Sequence, residues 1–177
     1  MFSACAGAAI YRKAVFEEMG AFDLTHFAYL EDVDVGYRAK LFGYQNLYEP
    51  TAIVYHIGSG TSGAVMYSDF KVRLSARNSI YLLYKNMPAF QRVLNWLPLV
   101  IGRKIKANFF KKRGFEAAYR DGLKEGKETL ENLKIQPFSW KRFGIYLSIE
   151  WLLVKNTFIY VFEYLERRKI KKEQHRD

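Results

Sequence analysis

The hydrophobic pattern changes character along the chain. Residues 2–11 (FSACAGAAIY) are small and apolar with no helical period, which predicts a buried strand or strand-turn, with Gly7 where backbone packs closely or a ligand approaches. Residues 12–19 predict a short helix stopped by Gly20, and 21–30 (AFDLTHFAYL) an aromatic loop. Over 31–42, Val33, Tyr37 and Leu41 share one helical face, three acids fill the first turn, and Gly43 ends the run. Residues 44–48 and 52–55, around Pro50, predict two short strands, and the Gly/Ser-rich 57–68 a loop. From Asp69 the period becomes 3.6: Val72, Ala76, Ile80, Leu83 and Met87 form a stripe that Pro88 ends. Further helices are predicted over 92–112, broken at Pro98 and Gly102, over 115–133, and over 140–171, where apolar residues run almost all round. The expected fold class is therefore mixed α/β in front and all-α behind, divided at 1–68, 69–115 and 116–177.

Composition narrows the class. Of 177 residues, 50% are hydrophobic and 17% aromatic, which excludes a disordered tail, a collagen-like chain and a small disulfide scaffold. Cys5 is the single cysteine, so no internal disulfide forms, in keeping with a reducing compartment. No secretion-signal pattern opens the chain. The net charge of +10 is unevenly spread. Residues 1–70 hold 4 cations and 8 acids, 71–115 hold 11 cations and no acid, and 116–177 hold 13 cations and 10 acids. The middle block calls for an anionic partner.

The candidate chemistry lies in YLEDVDVGYR. Glu31, Asp32 and Asp34 open a helix, where the dipole and free N–H groups favour ionised carboxylates, the state a general base requires. The plainer reading is ordinary first-turn acids, with Asp34 paired to Arg38 one turn on. His56 ends a predicted strand and is either structural or a metal or phosphate contact; His26 could line a pocket; His175 receives no role.

Taken together, GAAIYRKAVFEEMGAFD, FAYLEDVDVGYRAKLFGY and YEPTAIVYHIGSGTSG resemble family 2 glycosyltransferases, in particular the bacterial rhamnosyltransferase- and galactofuranosyltransferase-like branch that builds cell-surface polysaccharides. The resemblance covers roughly residues 2–87. It implies the C-terminal, acceptor-side half of a GT-A domain followed by a helical, amphipathic extension. It implies that Asp32, beside Glu31, is the catalytic base of inverting transfer from a nucleotide-sugar donor. It implies His56, 24 residues later, as ligand to a divalent metal (Mg or Mn) on the diphosphate, with the remaining ligands in a donor-binding half. Gly7 and Ala8 would approach the donor sugar, and Arg38, Gly58 and Ser59 would shape the acceptor side.

Asp32-Val33-Asp34 is the one D-x-D in the chain, but it opens a helix, whereas the family's donor motif ends a strand. The donor-binding half is thus expected upstream, in the same gene or as a separate N-terminal polypeptide, and this chain alone is expected to be inactive. Arg103, Lys104, Lys106, Lys111, Lys112 and Arg113 around Phe109 and Phe110 predict contact with an anionic membrane surface, where a lipid-linked or polysaccharide acceptor would be met. Residues 143–165 could span a bilayer by length, but Glu150, Lys155 and Asn156 near the centre favour a helix lying in the interface. The expected location is cytoplasmic, peripheral on the inner face of the cell membrane. The rival classes are a non-catalytic membrane adaptor and a basic nucleic-acid-binding domain; the latter has no accompanying motif and is not expected.

Overall fold

The computed structural model describes residues 1–55 and 66–173. They form two compact units, Met1–Phe138 and Ser139–Asp177.

The first unit contains six helices among its described residues: α1 (Lys13–Met19), α2 (Glu31–Leu41), α3 (Asp69–Asn86), α4 (Ala89–Leu94), α5 (Trp96–Lys111) and α6 (Glu116–Glu128). The predicted helix stripes are the faces that pack. Val72, Ala76, Ile80 and Met87 are buried along α3, as are Tyr37 and Leu41 on α2. Ser68 caps α3 by accepting from the Lys71 N–H at 3.3 Å, and Pro88 follows its end. α5 departs from expectation and runs unbroken through Pro98 and Gly102. Pro98 is the third residue of the helix, where a missing N–H removes no intrahelical bond; the break falls instead at Asn95.

The α/β, GT-A-half fold class is overturned: no strand occurs among the described residues. Residues 2–11 hold a single 3-10 turn at Ala6–Ala8, and 44–48 and 52–55 have no regular structure. The reason is physical. An extended segment becomes a strand only when a second segment satisfies its backbone N–H and C=O groups, and among the described residues none does so. Ile10, Leu47, Tyr48, Ile53, Val54 and Tyr55 accordingly lie exposed.

α2 is the axis of the front part, with every residue from Asp34 to Ala39 buried. Met19, Val35 and Ala39 pack α1 against α2 with Tyr11, Phe16 and Phe42 around them. The N-terminal segment crosses Gly36 so closely that a Cβ there would lie 2.5 Å from the Ser3 Cβ and 2.9 Å from the Phe2 carbonyl oxygen. α3 packs along α6 in the same direction, through Gly122 and Gly126. A methyl at Gly122 would sit 2.2 Å from the Arg73 carbonyl oxygen, and one at Gly126 2.8 Å from that of Arg77. The two glycines, one turn apart, let the backbones touch, and Val72, Ala76, Ala118 and Tyr119 close the seam. Residues 1–68, 69–115 and 116–138 therefore belong to one compact unit.

The second unit holds a 3-10 turn (Trp140–Arg142) and the long α7 (Phe143–Glu173). Its Trp140–Arg167 stretch is 28 residues long, its most apolar 18-residue window has a mean hydropathy of 1.3, and by length and composition it could cross a membrane. Trp151, Phe158, Tyr160 and Phe162 are more than half exposed.

Candidate active site at the start of α2

The loop that delivers the chain to α2 is unusual. Phe27, Tyr29 and Leu30 all have positive φ, at 58°, 70° and 67°. Non-glycine residues in this region cost of order 1–3 kcal/mol each and persist only where the surroundings over-determine them. Here α3 does so. The Asn78 amide, fully buried, donates to the carbonyls of His26, Ala28 and Tyr29 at 2.8, 2.7 and 2.8 Å. Arg77 donates to those of Thr25 and His26 at 3.0 and 3.3 Å. On the other side Asp23 caps the loop's 3-10 turn by accepting from the Thr25 N–H at 2.9 Å.

Beneath the loop sits a sealed polar hub. Asp34, with no exposed surface, accepts from Arg38 Nε at 2.9 Å and Nη2 at 2.8 Å, from Lys85 Nζ at 2.9 Å and from Asn86 Nδ2 at 2.8 Å. Lys85 also reaches Asp23 at 2.6 Å. Burial pushes the Asp23 carboxyl up, but hydrogen bonds from Lys85 and Thr25 outweigh it and hold the group well below the usual carboxylate range. Arg38 spends its remaining donors on the carbonyls of Met19 (3.0 Å), Gly20 (2.8 Å) and Ala21 (2.8 Å). His26 lies fully buried against Tyr81, and neither ring nitrogen has a hydrogen-bond partner among the described residues. Burial lowers its basicity, against the pull of the nearby Asp34 charge.

Glu31 and Asp32 sit above this hub in different surroundings. Asp32 is half-buried; its Oδ1 accepts from the Val33 N–H at 2.8 Å, and it has no ion pair among the described residues. The Glu31 Oε2 and the Tyr11 hydroxyl are each buried without a hydrogen-bond partner among the described residues. Burial first, then the charges of Asp32, Cys5 and Glu31, push the Tyr11 phenol up, and its ring packs against Phe16 and Phe22. The arrangement offers a half-buried carboxylate with no ion pair among the described residues, at the start of a helix entered through a loop held in a strained conformation.

The predicted site residues are thus distributed. Glu31 and Asp32 share the mouth of α2. Gly7 and Ala8 are exposed in the Ala6–Ala8 turn. Arg38 is buried and ties the 19–21 backbone to α2, so the i,i+4 pairing with Asp34 is present and the guanidinium does not face solvent. His56, Gly58 and Ser59 lie outside the described residues. Among the described residues no group of three or more His, Cys, Asp or Glu side chains is placed to hold a metal ion. Glu31 and Asp32 do not by themselves make such a site.

Sequence reasoning missed Tyr11, Asn78, Lys85 and Asn86. A signal for two of them existed: Lys71, Asn78 and Lys85 recur every seventh residue on α3, and all three are buried. Polar residues at a two-turn repeat inside an amphipathic helix mark a second, polar contact face. A separate cavity of about 260 Å³, lined by Tyr67, Ser75, Ile105, Lys106, Phe109 and Tyr119, lies among α3, α5 and α6 and involves neither acid.

Comparison with known proteins gives one local match. A segment of 54 residues, 30% of this chain, is 37% identical to the N-acetylglucosaminyl-diphospho-decaprenol L-rhamnosyltransferase of Mycobacterium tuberculosis, in both the CDC 1551 / Oshkosh and ATCC 25618 / H37Rv strains. The matched segment spans 18% of that enzyme's length. No protein-family model matches the chain, and no solved structure matches it. The chain is therefore similar over part of its length to a glycosyltransferase.

Proposed function

We propose that this chain is part of an inverting glycosyltransferase that transfers a sugar from a nucleotide-diphosphate donor to a lipid-linked or polysaccharide acceptor, with Asp32 as general base. The observation that carries the reading is the half-buried Asp32 carboxylate in the first turn of α2, which makes no ion pair among the described residues while Asp34 two residues on is sealed by Arg38, Lys85 and Asn86. In the proposed step the acceptor hydroxyl gives its proton to Asp32 as its oxygen bonds to the anomeric carbon. The bond from that carbon to the diphosphate oxygen breaks, and the nucleoside diphosphate leaves with the electron pair from the opposite face, inverting configuration. The local similarity to a rhamnosyltransferase acting on a diphospho-decaprenol substrate supports this class of acceptor. The exposed Ile10, Leu47, Ile53 and Tyr55 offer an apolar surface for a donor-binding segment to cover. The apolar Trp140–Arg167 helix supports work at a membrane.

The test is a transfer assay on the full gene product, with nucleotide-sugars and a polyprenyl-diphosphate acceptor, supplied with whatever donor-binding segment the locus encodes. Asp32→Asn is expected to lower turnover by about 10²–10⁴-fold, the usual worth of a general base, with the melting temperature unchanged. Full turnover in that variant would remove Asp32 from the mechanism.

A further inference from the structure

Of the 11 cations between residues 71 and 115, five are buried or hold partners on α3, α6 or the α3–α4 junction. Lys71 and Lys85 are buried, Arg73 and Arg77 pair with Glu125 at 2.7 and 3.3 Å, and Arg92 stacks on Tyr84 and donates to the Met87 carbonyl. What remains is concentrated on α5 and the turn after it. Lys104, Lys106 and Lys112 are exposed and make no ion pair among the described residues. Lys111 meets Glu116 only at 3.8 Å, with both side chains more than half exposed, and Arg113 lies over the Phe109 ring at 3.6 Å.

α5 has no buried residue, although it is 16 residues long. Leu97, Ile101 and Ile105, spaced by four, are 56%, 48% and 64% exposed, and Trp96 (64%), Val93 (74%) and Leu94 (61%) continue the patch around the α4–α5 corner. At 100° per residue Leu97, Ile101, Lys104, Asn108 and Lys111 fall on one face, so the outward side is apolar in its first half and cationic in its second.

We infer that the α4–α5 corner and the outward face of α5 dock on an anionic lipid bilayer, with Trp96, Leu97, Ile101 and Ile105 seated at the headgroup–acyl boundary and Lys104 and Lys112 on lipid phosphates. The charge complementarity selects this occupant. An apolar patch wants a dehydrated phase and unpaired lysines want negative charge, and a bilayer surface supplies both within 5–10 Å of depth, an order-of-magnitude figure for interfacial helices. A second copy of the chain would bring like cations together, and a nucleic acid offers no apolar phase for four aliphatic and aromatic side chains. The inference extends the membrane side of the proposed function. Because its test reads no turnover, its failure leaves the carboxylate chemistry standing.

The test uses the full chain with Trp140→Phe and Trp151→Phe, which leaves Trp96 as its single tryptophan. It is mixed with phosphatidylcholine vesicles containing a third phosphatidylglycerol, or none, with acyl chains brominated near the headgroup. Docking predicts a blue-shifted, bromine-quenched Trp96 emission on the anionic vesicles, and a Lys104→Glu/Lys112→Glu variant in which half-saturation needs roughly tenfold more anionic lipid at low salt. Should the tryptophan substitutions unfold the chain, Ile105→Cys in a Cys5→Ser background, carrying an environment-sensitive fluorophore, reports the same seating. Protein that floats with the vesicles through another segment while Trp96 or the residue-105 probe stays in water overturns the inference. So does absence of binding, or a signal that depends on protein concentration or on added RNA but not on lipid.

Discussion

Asp34 and Asp32 stand two residues apart in α2, yet the region around one is closed and the region around the other is open. Asp34 meets two cations and an amide inside the protein, with no surface left for solvent or ligand. Asp32, two residues earlier and about 200° round the helix, keeps its carboxylate free of any cation among the described residues and follows Glu31 in the first turn. The hub under Asp34 holds the 23–30 loop and α3 in register, and the mouth at Asp32 can then stay unsatisfied because its backbone is fixed from below. The difference teaches that adjacent acids in one helical turn divide into a structural and a chemical role according to which partner helix faces them.

The comparison breaks most visibly at Asp34. Asp34→Ala leaves Lys85 and Arg38 buried without their shared counter-charge, and a loss of about 3–5 kcal/mol is expected in urea denaturation, enough to unfold a marginal domain. A variant that unfolds at the wild-type midpoint would show the hub to be dispensable.

Asn78 links the two regions. Asn78→Ala strips the amide from three loop carbonyls, and an unsatisfied buried polar group costs about 1–3 kcal/mol. Hydrogen exchange of the 26–31 amides should accelerate more than that of α6; uniform acceleration would mean that Asn78 stabilises the whole unit and not the loop.

His26 gives the comparison a pH axis. It is buried among Asp34 of α2, Lys85 and Arg77 of α3 and Asp23 of its own loop, and its basicity is lowered in the folded state. The unfolded chain therefore takes up a proton first as pH falls, so stability present above the ordinary histidine range, near 6.5, declines below it. Asp23, also held low, extends the decline into the carboxylate range. His26→Phe removes the upper part of that decline, and thermal melts between neutral and mildly acid pH should run flatter; an unchanged slope would assign it to other groups.

The smallest expected effect sharpens the contrast. Asp32→Asn removes no ion pair among the described residues, so its stability should lie within about 0.5 kcal/mol of wild type. A loss as large as that at Asp34 would make both acids structural.

Much of the helical framework could be read from periodicity. The stripes on α2 and α3, the stop at Pro88, the glycines after α1 and α2 and the Asp34–Arg38 pair follow from spacing and local chemistry, because a helix satisfies its own backbone and its face is set every 3.6 residues. Residues 2–11, 44–48 and 52–55 were misread as strands for the complementary reason. Apolar content marks a segment that wants burial, while a strand exists only where a second segment pairs with it. Likewise the acids at 31, 32 and 34 were visible as a cluster, but local sequence cannot tell which of them α3 would reach. Lys85 and Asn86 lie more than fifty residues from Asp34, and their choice of that carboxylate over its neighbour is a tertiary event. The amino-acid sequence alone determined where helices begin, which faces are apolar and where positive charge collects. Which acid is sealed, which stays open, and which of the cations remain for a partner were settled only when α3 packed on α2 and α6, because those outcomes depend on distances between groups that the chain order does not encode.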